Sequence, residues 1–319
     1  MSDNNVDSSK KDKGWLYSDI YDRPNTPKNP LPRLSIFKFG SRGDLVSNVG
    51  KLLAQSLISG FLLAFLLLLL IDPIERQDDQ YYLVTWEIVK LVCVTISVFL
   101  VIRIFDESDI AEIGLKLDHR TLSDFLFGFI IVFLIFALEF LFVLATGWIR
   151  VEQVAWKTLS FNGVFWNILV TLVVFIFVGW SEELLARGFH LRIISKGFNR
   201  PLGIILSSAI FSYMHRNNPG MTLGGLIFIF LAGIMMSIAF LRTGQLWLAI
   251  GLHTGWDFFG GVIFGQIPPI FGSGIFHLME IKLAFPPSPY LIFEIPELII
   301  IAIIVYFYTT TRKPEISDW

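Results

Sequence analysis

Two clusters of ionisable residues interrupt apolar stretches of this chain, where charge is costly and therefore indicates a function. Glu183 and Arg187 are four residues apart, so on a helix they share a face and can form an ion pair. Glu182 is rotated by about 100° from Glu183 and can point elsewhere. In a second stretch, His253 and Asp257 have the same spacing, which stacks an imidazole and a carboxylate on one helix face.

A further histidine, His215, lies at the end of an apolar stretch between these two clusters. It follows Phe211 by four residues, so the two side chains share a helix face. At 1.5 Å per residue, His253 and Asp257 lie roughly 12 and 18 Å inside the stretch that begins near Gln245. Neither side chain could face lipid, so both must meet other parts of the protein.

Together these side chains supply the groups that hydrolysis requires. A carboxylate in a low-dielectric pocket can take a proton from water, and a histidine can assist it or protonate a leaving amine. An imidazole and a carboxyl group can hold a developing oxyanion. The same groups could instead bind Zn²⁺ and activate water on the metal. Spacing leaves both mechanisms open, along with a structural reading in which the polar pairs only join helices.

The apolar stretches are long enough to cross a membrane. The 319-residue chain is 54% hydrophobic and 16% charged, whereas a soluble chain carries about 25% charge. Stretches near 20 residues match the bilayer core, and in lipid they must be helical. We predict an all-α, polytopic membrane helix bundle of about eight transmembrane helices, near residues 50–71, 83–105, 122–147, 162–197, 200–216, 222–241, 245–265 and 289–308.

Composition divides the chain into four segments. Residues 1–48 are polar and contain several prolines, which predicts a disordered cytoplasmic tail. Residues 49–121 hold two N-terminal spans and a connecting loop, and residues 122–266 form a membrane core that carries the candidate residues. Residues 267–319 comprise a loop, the last span and a short C-terminal tail.

Lysine and arginine placement predicts the orientation of this integral, multi-pass protein. These residues concentrate before the first span and after the second, fourth and last spans. Cytoplasmic loops carry the excess of positive residues, so both termini are expected in the cytoplasm.

This orientation sets a geometric condition on the site. Glu182 lies toward the cytoplasmic end of its span, whereas His215 lies toward the far end of its own. We therefore expect the fourth helix to be long, with Glu182 nearer its middle. Side chains of Glu182 and His215 more than about 10 Å apart could not share a water molecule.

Three further observations exclude other kinds of site or partner and assign a structural role to one charged pair. Cys93 is the single cysteine, which excludes an internal disulfide framework and a cysteine zinc site. The sequence has no basic stripe with interleaved aromatic residues, so we expect no nucleic-acid partner. Glu87 and Lys90 are three residues apart on the second span and are interpreted as a structural pair that neutralises itself.

Three motifs, each on its own predicted span, resemble the signature of the CPBP family of intramembrane proteases, also called the Abi family. This family includes CAAX-processing and bacteriocin-processing enzymes, and its pattern is EExxxR, FxxxH and HxxxN/D on successive helices. The matching residues are Glu182, Glu183, Arg187, Phe211, His215, His253 and Asp257. The resemblance covers roughly residues 120 to 265 and implies that the segment 122–266 is a CPBP-like catalytic core.

The resemblance also implies an activity, that of an intramembrane endopeptidase acting on a membrane-associated protein or peptide. By position, Glu182 would be the base that activates water, assisted by His215. His253 and Asp257 would stabilise the oxyanion or, if a metal is present, complete a site with Glu182 and His215. Family members often have asparagine in place of Asp257. An aspartate holds an oxyanion only when protonated and is the better metal ligand, so the cofactor is either none or zinc.

Three motif residues have supporting roles under the same resemblance. Glu183 and Arg187 would support the first motif helix, and Phe211 would support His215. Two other functions use the same side chains: a non-catalytic membrane immunity or scaffold protein on this fold, and a proton-coupled transporter. A transporter would favour an internal repeat with broken helices, which the sequence does not show convincingly.

Overall fold

The computed structural model describes residues 45–70, 80–106, 113–148, 154–157, 160–218, 220–264 and 293–310. Within these ranges every regular element is helical, which confirms the all-α prediction. Most of the predicted tail, the segment between the seventh and last spans, and the C-terminal tail lie outside the described residues.

The described chain forms a series of helices that pack into one bundle. The α-helices are α1 Leu45–Leu70, α2 Gln80–Val101, α3 Thr121–Ala145, α4 Phe161–Glu183, α5 Arg192–Gly197, α6 Arg200–Met214, α7 Leu223–Thr243, α8 Trp247–Gly255 and α9 Ile295–Thr310. Three π-helical segments extend them: Ile102–Asp106 after α2, Leu184–Leu191 between α4 and α5, and Trp256–Ile263 after α8.

Five described helices are long and apolar enough to cross a membrane: Ser47–Leu66, Val84–Phe105, Thr121–Ala145, Phe161–Gly197 and Leu223–Thr243. They coincide with the first four predicted spans and the sixth, so the chain is an integral, polytopic membrane protein. The other three predicted spans correspond to shorter helices. The 15 residues of α6 reach only about 22 Å, and every residue of α8 is buried by protein.

The fourth helix is the long element that the sequence predicted. Ser160 caps its N-terminus by accepting a hydrogen bond from the backbone N–H of Gly163 at 3.1 Å. Helical structure then runs without interruption to Gly197, so Glu182 lies in its interior. The π-helical segment begins directly after Glu183, and such widened turns are frequent at functional sites.

Helix α8 lies at the centre of the bundle because glycines let it approach α3 closely. A Cβ on Gly251 would overlap the carbonyl oxygen of Phe125, and a Cβ on Gly128 would lie 2.7 Å from the carbonyl oxygen of Leu248. Small residues at such crossings let membrane helices pack backbone against backbone. The contact fixes the depth at which α8 presents its polar residues.

The loop before α3 fixes the start of α8. The backbone N–H of Leu246 donates to the carbonyl oxygen of Gly114 at 2.8 Å, and Gln245 Nε2 donates to Asp118 Oδ2 at 2.8 Å. Gly114 has a φ of +95°, which favours glycine. Partial burial alone would raise the pKa of the Asp118 carboxyl, but hydrogen bonds from the Arg120 backbone N–H and Gln245 lower it below its ordinary value.

The close approach of α3 and α8 predicts a large difference between two glycine substitutions. We expect Gly251→Ala to destabilise the protein by about 1–3 kcal/mol, because the added methyl group overlaps Phe125. Gly60→Ala is the matched control, since its Cβ meets nothing within 4 Å and alanine favours the helix. Thermal unfolding of both variants in detergent measures the effect. Equal midpoints for the two would contradict the packing described.

Candidate active site

The four predicted catalytic side chains lie together at one point inside the bundle. Glu182 comes from the end of α4, His215 from the turn after α6, His253 from α8 and Asp257 from the π-helical segment that follows. Glu182 Oε2 lies 3.3 Å from His215 Nε2 and 3.8 Å from His253 Nε2. His253 Nε2 lies 3.4 Å from Asp257 Oδ2. The geometric condition on Glu182 and His215 is therefore met.

Both histidine rings are held through their Nδ1 atoms. His215 Nδ1 lies 2.8 Å from the carbonyl oxygen of Phe211, and His253 Nδ1 lies 2.8 Å from Glu183 Oε1. A carbonyl oxygen only accepts, so His215 Nδ1 must carry a proton and donate it, and the same assignment suits His253. Each ring thereby turns its Nε2 toward Glu182.

A buried ion pair that begins at the next residue, Glu183, supports this arrangement. Arg187 NH1 donates to Glu183 Oε1 at 2.7 Å, and both side chains are almost fully excluded from solvent. Arg187 NH2 also donates to the carbonyl oxygen of Gly233 on α7 at 3.1 Å. The predicted ion pair is present, and it lies behind His253 rather than in the reacting space.

The Phe211 ring packs among the same groups. Its centroid lies 4.6 Å from that of His215 and 5.9 Å from that of His253. The guanidinium carbon of Arg187 lies 4.3 Å from the Phe211 centroid, within cation–π range. One aromatic ring therefore fills the space between both histidines and the buried ion pair.

The side chains of the four predicted catalytic residues line a cavity of about 590 Å³, which is within the size range of ligand sites. Its walls come from helices α1, α2, α4, α6, α7 and α8 and the segments beside them, and they are mainly apolar. Apolar wall residues near the polar groups include Trp86, Met214, Phe228, Met236 and Trp256. An apolar wall lowers the local dielectric constant and so strengthens electrostatic interactions at the site.

Lys90 on α2 is a site residue that the sequence analysis missed. Its Nζ lies 2.6 Å from Glu87 Oε2, as the spacing predicted, but also 3.2 Å from Glu182 Oε1. The interpretation of Glu87 and Lys90 as a self-contained pair was therefore incomplete. A lysine inside an apolar span was the available signal, yet its second partner, Glu182, lies on another helix and cannot be recognised from local spacing.

The alternative that these side chains bind a metal ion depends on their geometry. Over the parts of the chain that the structure describes, no group of three or more His, Cys, Asp or Glu side chains has the geometry to hold a metal ion. Moreover, the Lys90 ammonium lies against Glu182, one of the expected ligands. The side chains that the structure describes therefore do not form a group with the geometry of a zinc site.

Comparison with known proteins gives a family resemblance for this same region. Residues 164–259 match the family model described as Rce1-like, type II CAAX prenyl endopeptidase, and the match includes all three motifs. Searches of curated proteins and of solved structures found no match. The resemblance to the CPBP and CAAX protease family is thus confirmed, and the membrane core of this protein is similar to that of a type II CAAX prenyl endopeptidase.

Proposed function

We propose that this protein is an intramembrane endopeptidase in which Glu182 activates water to hydrolyse a peptide bond of a membrane-associated protein or peptide. One observation carries the proposal: the Glu182 carboxylate meets the Nε2 atoms of His215 and His253 at 3.3 and 3.8 Å. They meet at the wall of an apolar cavity. The family resemblance supports proteolysis in general terms.

The first step is removal of a proton from water. A water molecule beside Glu182 Oε2 and His215 Nε2 can donate a hydrogen bond to each, since both atoms have lone pairs. Glu182 takes one proton, and the oxygen of the water bonds to the carbonyl carbon of the peptide. The carbonyl π electrons move onto its oxygen and form an oxyanion.

The second step releases the amine. The oxyanion electrons re-form the carbonyl while the carbon–nitrogen bond breaks, and the leaving nitrogen takes the proton that Glu182 holds. A group that donates a hydrogen bond to the oxyanion accelerates both steps. We assign this role to the doubly protonated form of His253, whose Nδ1–H faces Glu183 Oε1 at 2.8 Å and whose Nε2–H is favoured by Asp257 Oδ2 at 3.4 Å.

We further propose that the mechanism is metal-free, and metal analysis tests it. Purified active protein is expected to contain far less than one zinc per chain and to keep its activity after treatment with a chelator. The reason is that the Lys90 ammonium lies 3.2 Å from Glu182 Oε1 and already neutralises the charge of this carboxylate. Elemental analysis beside a proteolysis assay makes the comparison. Stoichiometric zinc, lost together with activity, would overturn the metal-free mechanism.

Substitution of the proposed base tests the proteolysis itself. Glu182→Gln keeps the shape of the side chain but removes the proton acceptor, so activity should fall by about 10²–10⁴-fold. The measurement compares protein termini in membranes of cells that hold wild type or Glu182→Gln at equal abundance. Termini that appear only with wild type would identify substrates. Identical termini, with every phenotype intact, would instead indicate a non-catalytic membrane partner.

The neighbouring glutamate should behave differently, which makes it a useful contrast. Glu183→Gln leaves Arg187 buried without a counter-charge, and breaking such a pair costs about 3–5 kcal/mol. We expect the thermal midpoint of Glu183→Gln in detergent to fall well below wild type. The midpoint of Glu182→Gln should change little, because Lys90 keeps Glu87 as its partner. The reverse order of the two midpoints would refute the division of roles.

A further inference from the structure

We infer that Lys90 is a positioning residue for Glu182, so that helix α2 completes the active site of the core. The inference rests on the proposed function, in which Glu182 is the base. Lys90 holds Glu182 Oε1 as an ionised partner and leaves Oε2 for the water molecule. Since α2 precedes the matched residues 164–259, this role belongs to a part of the chain beyond the family match.

The first support is the geometry of the three charged groups. Lys90 Nζ lies between two carboxylates, at 2.6 Å from Glu87 Oε2 and 3.2 Å from Glu182 Oε1. The side chains of Lys90 and Glu182 are only 26% and 22% exposed, so solvent screens their attraction less than it would at a surface. Glu87 is buried further and fixes the ammonium in place.

The second support is the difference between the two oxygens of Glu182. Oε1 accepts from Lys90, whereas Oε2 is buried and accepts no hydrogen bond from any residue that the structure describes. Oε2 is also the atom that faces His215 and His253. A bond to Oε1 restricts rotation of the carboxylate, so Lys90 determines which oxygen is turned toward the two histidines.

The third support is the pairing of the arginine and lysine side chains at the site. In the described part of the site these are Arg187 and Lys90. Arg187 is bonded to Glu183 at 2.7 Å and lies behind His253. Lys90 is thus the one of these two side chains that contacts Glu182, and its removal would leave that carboxylate with only the two histidines as neighbours that can carry a positive charge.

The experiment measures the state of Glu182 directly, with dicyclohexylcarbodiimide as the probe. This apolar reagent attacks carboxyl groups in their protonated form, and mass spectrometry of the full-length protein in detergent gives the rate at Glu182. We expect Lys90→Met to raise that rate at least tenfold, because the ionised form loses its partner. Lys90→Arg restores a positive charge and should return the rate toward that of wild type.

A matched control removes a different buried lysine. Lys51 on α1 hydrogen-bonds to Asn48 at 3.4 Å, so Lys51→Met should leave the labelling of Glu182 unchanged. Equal labelling of Glu182 in wild type and Lys90→Met, with both proteins folded, would overturn the inference. Labelling does not depend on proteolysis, so this result is distinguishable from failure of the proposed function.

Kinetics on a peptide substrate identified from the termini separates positioning from substrate binding. Lys90→Met should lower kcat while leaving KM within about twofold, because Lys90 acts on the base rather than on the substrate. Recovery of kcat in Lys90→Arg would support the same role. A change confined to KM would overturn it.

Discussion

The buried ion pair between Glu183 and Arg187 is the interaction on which the rest of the site depends. Taking two charges out of water costs several kcal/mol per ion, and only good geometry with further partners offsets that cost. Here the further partners come from other helices: Gly233 on α7, Phe211 on α6 and His253 on α8. Satisfying one buried pair thus requires four helices to meet, and their meeting places the histidines beside Glu182.

Local periodicity made much of this predictable. The spacing of four in each motif correctly placed Glu183 with Arg187 and Phe211 with His215, because helical neighbours follow from the chain alone. The long fourth helix followed from the conflict between the depths of Glu182 and His215. Apolar stretches of sufficient length likewise predicted the five longest spans, since lipid permits no other regular structure for them.

Two features could not be predicted from local patterns, because both depend on contacts between distant parts of the chain. The contact of Lys90 with Glu182 joins residues on different helices, and nothing in the spacing of Glu87 and Lys90 indicates it. The burial of α8 on all sides has the same origin, because a sequence cannot show whether protein or lipid surrounds an apolar helix. Composition therefore predicts membrane spans better than it predicts which helices lie at the centre of a bundle.

The short length of α6 has a consequence for the surrounding bilayer. Its 15 residues reach about 22 Å, while the hydrocarbon core is roughly 30 Å thick. Where α6 crosses the bilayer, this hydrophobic mismatch makes nearby lipid thin, or makes other protein segments cover the difference. Thinning would bring the headgroup region toward the end of α6, where His215 lies. Water would then have a shorter path through hydrocarbon to a reaction that consumes it.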